Sequence, residues 1–85
     1  METNPVYYGL PTKLILNEIG TNKIALVKVI KSRIIQKDAR KIVGFAAQIK
    51  SVAPELEVTL ICTRNICSKS IALLNKEGID VQFVD

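Results

Sequence analysis

Residues 23–31, Lys23-Ile24-Ala25-Leu26-Val27-Lys28-Val29-Ile30-Lys31, decide how the rest of the chain is read. Between Ile24 and Ile30 the only polar residue is Lys28. Leu26, Val29 and Ile30 recur at helical spacing and form one apolar stripe, wide enough to bury against a sheet. The preceding Gly20-Thr21-Asn22 closes a strand, and either Thr21 or Asn22 can accept a bond from an early helical amide. The spacing therefore predicts a helix from about Lys23 to Arg33. Ile24 and Val27 make a second apolar line, rotated away from the first, which that helix does not need for its own packing. Lys23, Lys28 and Lys31 flank this line, and Arg40 stands opposite on the following helix. An apolar ridge framed by cations is suited to docking a protein with an acidic surface, with Ile24 and Val27 as the buried anchor and the four cations for steering.

Working outward, Lys13–Ile19 reads as a strand, apolar on both sides of the pleat and therefore central. Lys37 to about Ile49 has Ala39, Ile42, Val43, Ala46 and Ile49 at helical spacing. Glu55–Thr63 alternates cleanly, with Leu56, Val58, Leu60 and Cys62 on one side. A third helix runs from about Ser68 to Glu77 and stops at Gly78, a residue suited to the left-handed position after a helix end. A last strand places Ile79, Val81 and Phe83 inward against Asp80, Gln82 and Asp85. The predicted order is β-α-α-β-α-β, an α+β two-layer sandwich with three helices on one face of a three-stranded sheet. Residues 1–12 read as a flexible lead-in, and residues 13–85 as the domain.

The whole chain has 85 residues, room for one small domain. There is no histidine, which removes the imidazole base and the serine–histidine triad, and two cysteines cannot make a four-cysteine zinc site. A non-catalytic domain without cofactor or metal is expected. No apolar run approaches the roughly 20 residues of a membrane helix, and no signal-peptide pattern follows Met1, which predicts a cytoplasmic protein that does not enter membranes. The net charge is +4, and residues 23–41 hold seven of the twelve cations but one of the eight acids. Such a block marks a surface for an acidic protein or for phosphate.

The run Leu14-Ile15-Leu16 followed by Gly20-Thr21-Asn22-Lys23-Ile24-Ala25-Leu26-Val27-Lys28-Val29-Ile30-Lys31 resembles the C-terminal domain of the bacterial large-subunit ribosomal stalk protein. Lys37-Asp38-Ala39-Arg40-Lys41-Ile42-Val43 is similar to a helix of that family, and Leu73 to Val81 to its final helix, glycine and strand. The resemblance implies the same sandwich, a fold shared with an adaptor of the Clp protease. It also implies recruitment of a translation GTPase, or attachment to a ribosome component, through the first two helices. The matching positions are Lys23, Ile24, Val27, Lys28, Lys31 and Arg40, with Lys31 standing where the family has arginine.

Two rival readings come from the residues themselves. The basic block and a pI of 9.3 fit RNA or ribosome binding, although the block holds no aromatic residue to stack on bases. Cys67 precedes a helix, whose N-terminus lowers a thiol pKa, so Val58–Asp85 also looks like one unit of a glutaredoxin-like thiol protein. Cys62 shares the parity of Leu56, Val58 and Leu60 and reads as a small buried hydrophobe.

Overall fold

In the computed structural model, which describes residues 1–84, the chain folds as a mixed sheet with two α-helices. The strands are β1 (Ile15–Gly20), β2 (Lys23–Lys28), β3 (Glu57–Cys62) and β4 (Asp80–Phe83), and the helices are α1 (Gln36–Val52) and α2 (Ser68–Lys76). They lie side by side in the order β1-β2-β3-β4. β1 and β2 form an antiparallel hairpin, whereas β2, β3 and β4 run parallel. Both parallel crossovers advance across the sheet in the same direction. Crossovers of this kind are right-handed as a rule, which sets α1 and α2 on one face, where they pack against each other.

The helix expected at Lys23–Arg33 is a strand, and the order is β-β-α-β-α-β, with four strands and two helices instead of three of each. Two physical features explain the change. Asn22 adopts φ 56°, a left-handed conformation that asparagine tolerates better than most residues. With Thr21 it makes a two-residue reversal between the paired Gly20 and Lys23, so neither residue caps a helix. Beyond the turn, Ile24, Val27, Val29 and Ile30 are β-branched and favour extended backbone. The excess apolarity of the segment belongs to an inner strand flanked by neighbours on both edges. Ile24 and Leu26 point to the helix layer, and Ala25 is sealed on the opposite side by its neighbours.

β1 is an edge strand rather than a central one, and Ile15 and Ile19 are exposed on it. Phe83 is exposed at the opposite edge, with the Arg64 guanidinium 5.0 Å over its ring, instead of facing inward. Asp85, placed on the last strand by its alternation, lies outside the described residues. The N-terminal residues pack onto the domain: Asn4 caps a short 3-10 turn at Pro5–Tyr8, and Tyr8 and Leu10 enter the core. The Tyr8 hydroxyl donates to the Glu2 carbonyl at 2.6 Å. Ile79 is buried as expected, and Gly78 has φ 77° just past α2.

One core joins sheet and helices. Leu16, Ile24, Leu26, Val58, Leu60 and Cys62 meet Ala39, Ile42, Ala46 and Ile49 of α1 and Leu74 of α2. The opposite face of the sheet carries the in-register row Ile15–Val27–Ile61–Gln82. Past the sheet, two connectors are stitched together. The Ile34 amide donates to the Asn65 carbonyl at 2.9 Å, the Cys67 amide to the Ile34 carbonyl at 3.0 Å, and the Asn65 side-chain amide to the Lys31 carbonyl at 3.1 Å. Among the described residues no helix is long and apolar enough to cross a membrane.

Candidate docking groove

The stitched connectors fix where the chain goes after β2. Past Lys28 the strand has no partner on either side, and Val29 and Ile30 continue into the open, 55% and 38% exposed. On one side the segment leading into β1 approaches, shaped by a turn in which the Leu14 amide donates to the Pro11 carbonyl at 3.2 Å. On the other side stands α1. Its first turn is set by the Asp38 carboxylate, which accepts the Ile35 amide at 3.1 Å and satisfies one of the free donors at the helix start.

Between these elements lies a groove of about 710 Å³. Leu14, Ile30 and Phe45 give it aliphatic and aromatic walls, Ile15, Val27 and Val29 border it, and Leu26 and Ile42 connect it to the core. Lys13, Lys28 and Lys41 bring cations from three separate elements. Among the described residues Asp38 is the one acid in the lining, and its carboxylate is engaged at the helix start. Lys31, Arg33, Lys37 and Arg40 extend the positive surface along the connector and the outer side of α1, all of them exposed.

The six residues selected from the sequence divide. Val27 and Lys28 line the groove, both half-buried. Lys31 and Arg40 are exposed outside its lining. Lys23 begins β2 at the far end of the strand, and Ile24 is fully buried, so neither contributes to the groove. A surface made by two helices does not form, because the first of them is β2. Lys13, Leu14, Ile15, Lys41 and Phe45 were not selected. Strand parity was the signal that could have sorted the set: once β2 is a strand, Lys28 falls on the face of Ile24 and Leu26, toward α1, and Val27 on the opposite face in register with Ile15.

A second recess, of 460 Å³, opens at the other end of the sheet and carries the opposite charge. Glu2, Glu18 and Glu55 line it beside Tyr8. Burial first, then the neighbouring Tyr7 and the carboxylates of Glu2 and Glu55, push the Tyr8 phenol above its ordinary value. Among the described residues no three histidine, cysteine, aspartate or glutamate side chains are grouped to hold a metal ion.

The two cysteines are free and differ in setting. Cys62 is sealed in the core, and burial pushes its thiol pKa up. The Cys67 sulfur lies 2.9 Å from the Ser70 hydroxyl at the start of α2. That hydrogen bond, followed by the Ser70 amide and the nearby Arg33 charge, holds the thiol below its ordinary value despite partial burial.

No family model, curated protein or solved structure matches the chain.

Proposed function

We propose that this domain is a non-catalytic docking module whose groove takes an acidic, aliphatic segment of a partner protein. The observation that carries the reading is the pairing of aliphatic walls with three lysines from three elements, opposed by one carboxylate that is already hydrogen-bonded. Aliphatic walls supply burial on association, and the cations supply orientation and rate of capture.

The test is a comparison of variants on one purified partner, obtained by affinity capture on the wild-type domain. Charge reversal inside the groove, Lys28→Glu with Lys41→Glu, abolishes binding, whereas Lys23→Glu at the far end of β2 leaves it intact. Equal binding by both variants removes the groove as the site.

Nucleic-acid binding is the second reading, and a specific observation favours it. The cations continue past the groove through Lys31, Arg33, Lys37 and Arg40, and Phe45 stands among the groove lysines rather than apart from the basic block. Affinity for a single-stranded RNA that falls steeply with salt is its signature, because each phosphate contact releases counterions. Binding of an acidic protein segment loses less, because the aliphatic contacts are insensitive to screening.

A further inference from the structure

The midpoint of α1 is occupied by Gly44, in a helix interior where glycine is worse than every residue except proline. Three reasons that normally keep glycine in such a place are missing. Its φ is not positive; the glycines with left-handed backbone are Gly9 and Gly78. No neighbour crowds it, since an added Cβ would meet nothing within 4 Å. It is exposed, so no core packing depends on its size. What distinguishes Gly44 is its position: it lines the groove between Lys41 and Phe45.

We infer that the bound segment crosses α1 at Gly44, where the missing side chain lets an acidic, aliphatic peptide lie close against the helix, its aliphatic side chains toward Phe45 and its carboxylates toward Lys41 and Lys28. This rests on the docking reading and deepens it by naming a residue that sets how closely the ligand approaches. Gly44 is a shape determinant, and nothing in the fold needs it to be glycine. A larger side chain there would project into the groove and leave the core untouched.

The experiment uses a peptide-display selection on the wild-type domain, followed by affinity measurements with the best synthetic peptide. The variants are Gly44→Ala, Gly44→Leu and the double Lys28→Glu, Lys41→Glu. Expected are peptides that combine aspartate or glutamate with leucine, isoleucine or valine, bound about tenfold or more weakly by Gly44→Leu. Gly44→Ala, carrying only a Cβ, binds more weakly by a smaller factor. Both Gly44 variants unfold at the same temperature as wild type or higher, which separates a blocked groove from a damaged fold. If such peptides require the lysines but bind Gly44→Leu as tightly as wild type, the crossing point is wrong and the docking reading stands. If no acidic, aliphatic peptide is selected, or if the charge-reversed domain binds it equally well, the docking reading fails and the inference fails with it. A single-stranded RNA that needs the lysines and ignores Gly44→Leu, with no peptide selected, identifies nucleic acid as the occupant and overturns the inference as well.

Discussion

Residues 24–26 and 29–30 are alike in composition and opposite in fate. Ile24, Ala25 and Leu26 are each at most 1% exposed, whereas Val29 and Ile30, a few positions later on the same chain, face solvent. What separates them is the reach of the neighbouring strands. β1 and β3 flank β2 on both sides as far as Val27, and β3 alone accompanies it to Lys28. Apolar side chains inside that span are covered by the helices or by adjacent strands. Those beyond it have only the groove. Burial here is decided by topology acting on a uniform sequence, so the same residue types hold the fold together at one end of the segment and are left available at the other.

The largest effect expected from this contrast is at Ile24. Ile24→Ala removes a side chain packed between Val58 and the helix layer and should destabilise the domain by about 2–5 kcal/mol, read from the midpoint of denaturant unfolding. The matched changes Val29→Ser and Ile30→Ser should each shift stability by about 0.5 kcal/mol or less, while weakening partner binding. A domain that tolerates Ile24→Ala and unfolds with Ile30→Ser would reverse the assignment of core and groove.

A smaller effect of opposite sign is expected at Gly44. Gly44→Ala should stabilise the domain by about 0.5–1 kcal/mol, because alanine loses less backbone freedom in a helix interior and the site has room for a Cβ. A fall in stability would mean that the groove wall packs more tightly than its geometry indicates.

The contrast within residues 23–31 also marks where the sequence could be read and where it could not. The helices at Gln36–Val52 and Ser68–Lys76 and the strand at Glu57–Cys62 each carry a single apolar periodicity in sequence, and each was legible from it. Lys23–Ile30 has no polar face to set a period. Leu26, Val29 and Ile30 fit a helical stripe as well as a strand, and the choice depends on partners distant in sequence. Asn22 was read as a helix cap, and asparagine suits a left-handed turn as well. Of the groove, Val27 and Lys28 were visible because they lie in the basic block. Lys13, Ile15 and Phe45 come from other elements, and only the pairing of β1 with β2 and the packing of α1 bring them there.

The same boundary crosses β3, and a cysteine on each side of it gives the finest test. Cys62 pairs in register with Lys28 at the last rung of the sheet and is sealed, whereas Cys67 lies past the sheet, beside Ser70 and within the field of Arg33. A thiolate is the reactive form, so the native protein should be alkylated at Cys67 alone, and the rate should rise with pH at a lower midpoint than in the unfolded chain. Ser70→Ala removes the hydrogen bond that contributes most to the depressed value and should move that midpoint upward. Because the folded pKa lies below the unfolded one, the fold favours the thiolate. Its contribution to stability is present above the unfolded thiol's pKa and is lost as pH falls through the native value. Cys62 has the opposite sign: burial favours its neutral form, so stability from that residue is present below the unfolded pKa and declines as pH rises above it. A native protein in which Cys62 reacts as fast as Cys67 would show that the last rung of the sheet opens readily, and the boundary between core and groove would then lie nearer Leu26 than Lys28.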